Sequence, residues 1–121
     1  MSHIVFVYGT LKKYFGNHHI LQNSKYLGND KIKGYDMYSL GAFPGIVESE
    51  NGEGFVHGEL YEVNDEVLKE LDRLEGYSDS DPFNSFYIRK ETTSSNGTKC
   101  YFYEYNKPLS SFPEKIEMGF W

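Results

Sequence analysis

One segment with helical periodicity stands alone in a chain otherwise patterned for strands. It runs Asn64-Asp65-Glu66-Val67-Leu68-Lys69-Glu70-Leu71-Asp72-Arg73-Leu74-Glu75-Gly76. Asn64 or Asp65 can cap its start, and acids crowd a first turn where the macrodipole favours them. Gly76 suits the left-handed position that ends a helix. Val67, Leu68, Leu71 and Leu74 form one apolar stripe. Strand signals precede and follow this segment. The expected fold is therefore α+β, dominated by antiparallel strands, with one main helix near residues 64–75.

Glu75 breaks the pattern of that helix. It follows Leu71 by four residues and Leu68 by seven. At about 100° per residue it points into the apolar stripe, whereas Glu66, Lys69, Glu70, Asp72 and Arg73 flank or oppose it. A carboxylate aimed inward is costly unless paired or neutral. The negative end of the helix dipole adds a second push against ionisation. Both effects raise a carboxyl pKa toward the range of a general base at neutral pH. Periodicity alone equally allows Glu75 to fray outward at the helix end.

The remaining chain divides at its glycines. His3 to Val7 reads as a buried strand ending in the turn Tyr8-Gly9-Thr10-Leu11. A glycine there lets a ligand approach the backbone, and successive N–H groups in such a turn can hold a carboxylate or oxyanion. Strand-to-glycine turns are common, and taken alone this one reads as a plain structural turn. The Gly-Lys-Ser/Thr ending of a phosphate loop is absent. Asn17 is a candidate cap for a short helix through Ile20 and Leu21. Two strands are expected between Lys25 and Leu40, the second from Tyr35, and a further one resumes at Ile46-Val47. Phe43, in the loop between, is a core plug or a pocket wall. Phe55 to Val63 is the clearest strand, and Gly58 within it marks a bulge or a close backbone contact. Glu59 is a second candidate acid, and it reads as a solvent-facing strand residue rather than a catalytic one. Residues 78–85 form a polar loop, and Phe86 to Thr92 and Lys99 to Tyr105 make a hairpin turning at Asn96-Gly97. On the return strand Cys100, Phe102 and Glu104 share one face, and Tyr101, Tyr103 and Tyr105 the other.

Bulk properties exclude several functions. A chain of 121 residues fits a single domain, 1–121, in which the aromatic tail 106–121 packs on the rest. Its net charge of -6, without a basic run, argues against a nucleic-acid partner. The one cysteine, Cys100, permits no disulfide within the chain and reads as a half-buried strand residue, which fits the cytoplasm. No apolar run is long enough to span a membrane, and the start lacks the pattern of a signal peptide. The four histidines lack metal-ligand spacing, so no metal site is expected.

Several motifs then occur in a telling order. They are Val7-Tyr8-Gly9-Thr10-Leu11-Lys12, Gly16-Asn17, Val56-His57-Gly58-Glu59-Leu60-Tyr61, Leu71-Asp72-Arg73-Leu74-Glu75-Gly76-Tyr77 and Tyr87-Ile88-Arg89. The set resembles the gamma-glutamylcyclotransferase-like family, in the branch of gamma-glutamylamine cyclotransferases and AIG2-like proteins, from Ile4 to Tyr105. The resemblance implies a small mixed, mainly antiparallel β-barrel with one main helix and short helices around a pocket. It implies that Glu75 is the acid/base residue and that Tyr8, Gly9, Thr10, Leu11, Tyr87 and Arg89 bind the substrate. The implied reaction releases 5-oxoproline from a gamma-glutamyl amide by attack of its own α-amine, without metal or cofactor. Residues 78–85 and the tail match nothing in the family pattern, and they are the parts that would shape the leaving-amine pocket. Two other readings keep the fold: a non-catalytic binding or interaction protein, and a structural domain in which Glu75 pairs with Arg89.

Overall fold

The computed structural model describes residues 2–121. Eight strands and one α-helix form along the described chain: β1 Ser2–Val7, β2 Lys25–Lys33, β3 Tyr35–Ser39, β4 Pro44–Glu48, β5 Phe55–Asn64, α1 Asp65–Leu74, β6 Tyr87–Thr93, β7 Lys99–Tyr105 and β8 Glu114–Ile116. Single 3₁₀ turns occur at His18–Leu21 and Pro82–Asn84. The fold is α+β, and nearly every strand pair is antiparallel; β1 with β7 is parallel, meeting at Val5 and Tyr101.

The strands lie in two sheets, ordered β2-β5-β1-β7-β6 and β4-β3-β8. The expected barrel is thus not closed by backbone hydrogen bonds. The chain leaves the first sheet after Lys33, and the N–H of Gly34 bonds to the Gly54 carbonyl at 2.7 Å. From there β3 pairs with β4 and β8, so neither edge strand of the large sheet, β2 or β6, finds the other.

Alternation along the strands creates two apolar layers, one on each face of the large sheet. Val5, Val7, Tyr61, Val63 and Tyr103 share a cluster with Leu68 and Leu71 of α1. Phe6, Tyr8, Leu60 and Phe102 point the other way and meet Met37 and Ile46 of the small sheet. Gly58 sits where the β5 backbone presses against Phe6 and the Val7 carbonyl, so close contact rather than a bulge explains it. The register shift of this sheet falls instead between Tyr26 and Gly28. Among the described residues no helix is long and apolar enough to cross a membrane.

The α1 helix is closed at both ends. The Val67 N–H donates to Asn64 Oδ1 at 2.9 Å. At the other end Gly76 takes φ +66°, its N–H donates to the Arg73 carbonyl, and that of Tyr77 to the Asp72 carbonyl. Those two bonds satisfy carbonyls that the helix itself leaves without partners, as in a Schellman motif. Glu75 is the last residue before the reversal, with its φ and ψ still close to helical.

Candidate active site

A cavity of about 370 Å³ opens where β1 runs into its glycine turn. Tyr8, Gly9, Thr10 and Leu11 line it together with Leu74 and Glu75. Tyr87 and Tyr103 come from the large sheet, and Phe43 and Pro44 from the approach to β4. The volume suits a small-molecule site.

Glu75 brings the charge. Helix periodicity expected Leu74 in the apolar stripe, but Leu74 is 41% exposed and stands at the cavity wall. The position that closes the stripe is Glu75, half-buried, with no hydrogen bond or ion pair to its carboxyl group among the described residues. Burial pushes its pKa from 4.5 to about 7. An unpaired carboxyl that titrates near neutrality can take and return a proton.

The glycine turn in the same lining is fixed by its own hydrogen bonds. The N–H of Lys12 donates to the Gly9 carbonyl at 3.0 Å, and that of Asn17 to the Thr10 carbonyl at 2.9 Å. The N–H groups of Gly9, Thr10 and Leu11 take no part in this bonding. Asn17, expected as a helix cap, uses its side-chain amide to hold Thr10 Oγ1 at 2.9 Å. Glu59, expected to face solvent, accepts from the Lys13 N–H at 2.8 Å and from the Tyr61 hydroxyl at 2.9 Å, bracing the turn from behind. Gly9 itself answers to packing: a Cβ there would lie 2.8 Å from the Pro44 ring. A close neighbour, and not a ligand alone, therefore requires glycine.

The two tyrosines expected to bind substrate contribute their rings, because their hydroxyls are committed. Tyr8 donates to the Tyr103 carbonyl at 2.6 Å and Tyr87 to the Pro44 carbonyl at 2.7 Å. Burial raises both hydroxyl pKa values. Glu75 is therefore the one charged side chain in the described lining.

Arg89 is not in that lining. Its Nη1 donates to Asp72 Oδ2 at 2.6 Å, and its guanidinium lies over the rings of Tyr77 and Tyr101. Asp72 Oδ1 accepts from the Tyr103 hydroxyl at 2.7 Å. The pairing of Arg89 with Glu75 is thus replaced by a pairing with Asp72, one turn earlier on the same helix. Arg89 holds the helix that presents Glu75 and reaches the cavity only through Tyr103. Sequence reading missed Asp72, which looked like one more flanking charge, and Tyr103, whose signal was its place in the Tyr101-Tyr103-Tyr105 face.

Comparison with known proteins gives this geometry a family. The family described as gamma-glutamyl cyclotransferase, AIG2-like, matches residues 5–121. The chain belongs to the gamma-glutamylcyclotransferase, AIG2-like family. Over 117 residues it is 36% identical to the Escherichia coli gamma-glutamylcyclotransferase family protein YtfP, covering 97% of this chain and 94% of that one. The solution structure of YtfP superposes with a TM-score of 0.72 over 98% of this chain and 95% of that chain. An uncharacterized protein of Pyrococcus horikoshii, 26% identical, matches with a TM-score of 0.76 over 97% of this chain and 87% of its own. The mouse AIG2-like protein shares the fold, with a TM-score of 0.75 at 23% identity over 96% of this chain and 86% of its own.

Proposed function

We propose that this family member is a cyclotransferase acting on gamma-glutamylamines. The observation that carries the reading is Glu75: unpaired, with its pKa raised to about 7 by burial, and lining the same cavity as the glycine turn. A gamma-glutamyl amide holds its α-amine a few bonds from its amide carbonyl. Folding the glutamyl chain against the turn brings the two together, and such proximity supplies much of the barrier reduction. The neutral α-amine attacks the carbonyl carbon and forms the ring C–N bond. Glu75 accepts the proton released from that nitrogen. The N–H groups of Gly9, Thr10 and Leu11 are suited to hold the α-carboxylate or the developing oxyanion. Glu75 then returns the proton to the departing nitrogen as the original amide bond breaks. The products are 5-oxoproline and a free amine; no water is consumed.

Blocking the nucleophile tests this chemistry. The protein is expected to release 5-oxoproline from gamma-glutamyl amides, with no oxygen incorporated from labelled water. The same amides acetylated on the α-amine keep the scissile bond and the α-carboxylate, and are expected to be inert. Release of glutamate, or cleavage of the acetylated compounds, would mean that water attacks and that the reading is wrong.

A further inference from the structure

A second cavity, of about 440 Å³, adjoins the first. Phe43 and Phe86 belong to the walls of both, with their rings 6.3 Å apart and steeply inclined. The wall shared by the two cavities is tied to the end of α1 beside Glu75. The N–H of Phe86 donates to the carbonyl of Gly76, the residue after Glu75, at 3.0 Å. Leu40, Tyr105, Pro108, Leu109 and Pro113 complete a trough whose side chains are mostly apolar, with Ser39 and Ser110 also in its lining. The tail that builds it is fastened: the side-chain amide of Asn106 donates to the carbonyls of Pro82, Phe83 and Ser85.

Charge decides what such a trough accepts. Among the described residues lining either cavity there is no lysine, arginine or histidine, and Glu75 is the one ionisable acid. We infer that the groove beyond Phe43 and Phe86 receives the leaving amine, and that it selects an apolar or aromatic amine without a carboxylate over an amino acid or peptide. The inference rests on the cyclotransferase reading and adds the class of leaving group. A carboxylate on the leaving group loses its hydration against aromatic walls, gains no cation, and faces Glu75. An apolar amine gains about fourfold in affinity for each methylene it buries.

The test uses a matched pair that differs by one carboxylate, gamma-glutamyl-phenethylamide and gamma-glutamyl-phenylalanine. 5-Oxoproline release is followed for both with the full-length protein. The phenethylamide is expected to have the higher kcat/KM by roughly 10- to 100-fold. Ser110→Arg places a cation at the exposed rim and is expected to narrow that gap by raising turnover of the acid. Equal turnover of the pair, preference for the acid, or a gap that Ser110→Arg leaves unchanged overturns the assignment of the groove while the cyclotransferase reading stands. Absence of 5-oxoproline from both compounds and from gamma-glutamylmethylamide overturns the cyclotransferase reading, and this assignment with it.

Discussion

Glu75 loses solvation without gaining a hydrogen bond, and this separates two consequences of replacing it. The first is catalytic. Glu75→Gln keeps the shape and removes the proton acceptor, so kcat/KM is expected to fall by roughly 10²–10⁴. For the parent enzyme, kcat/KM is expected to fall by a further factor of about ten per unit as pH drops below about 7, where Glu75 gains its proton, on top of the fall that the substrate amine's own ionisation imposes. A profile that shows the substrate amine's ionisation alone would remove Glu75 from the chemistry. The second consequence is stability. The folded pKa, about 7, lies above the ordinary 4.5. The folded state therefore binds this proton more tightly than the unfolded chain does. The stability tied to the proton is fully present below about 4.5 and is lost as pH rises through about 7. Glu75→Gln is thus expected to match the parent in urea at pH 4 and exceed it at pH 8, by on the order of 1–3 kcal/mol. Equal midpoints at both pH values would contradict the buried, unpaired state.

The helix that carries Glu75 is held to the sheet by Asp72. Its carboxylate takes the Arg89 guanidinium of β6 with one oxygen and the Tyr103 hydroxyl of β7 with the other. Asp72→Asn leaves a partly buried guanidinium without its anion, at an expected cost of roughly 1–3 kcal/mol. Glu70→Gln, exposed on the same helix, is the control and is expected to stay within about 0.5 kcal/mol of the parent. Urea unfolding of both variants decides the matter, and indistinguishable midpoints would make the Asp72 pair ornamental. At this scale the sequence was informative about elements and silent about pairings. The extent of α1, its Asn64 cap and its Gly76 stop follow from local periodicity and turn chemistry. The faces of β7 follow from alternation. What was not legible depends on distance through space. Arg89 and Asp72 lie 17 positions apart, and nothing local marks Asp72 rather than Glu75 as the partner. The same holds for Gly9, whose reason is the Pro44 ring, and for the Tyr8 and Tyr87 hydroxyls, which are spent on carbonyls. The open barrel belongs here too, because closure depends on where β3 goes after Gly34.

Across the whole molecule, residues 114–121 tie together parts that local structure leaves separate. β8 pairs with β3, joining Ile116 to Met37 in register. The N–H of His57 in β5 donates to the Gly119 carbonyl at 2.7 Å. Lys12, only 3% exposed and adjacent to Leu11 of the site, donates from Nζ to the Trp121 carbonyl at 2.7 Å and lies over the Phe120 ring. One short segment thus bridges the small sheet, the large sheet and the turn that lines the cavity with Glu75. Gly119 is its narrowest point, since a Cβ there would collide with the Phe55 carbonyl. Gly119→Ala is therefore expected to displace the segment and cost roughly 2–4 kcal/mol, overpacking added to the strain of a positive φ. Gly97→Ala isolates the strain: it has φ +85° at the hairpin tip but open space around a Cβ. It is expected to cost only about 1–2 kcal/mol. Because Lys12 loses its acceptor when the segment moves, Gly119→Ala is also expected to raise KM, whereas Gly97→Ala leaves it unchanged. Denaturant unfolding and steady-state kinetics on the two variants give both readings. Equal destabilisation with equal KM would show that the segment lies on the fold without bracing it, and that the site turn stands without Lys12's anchor.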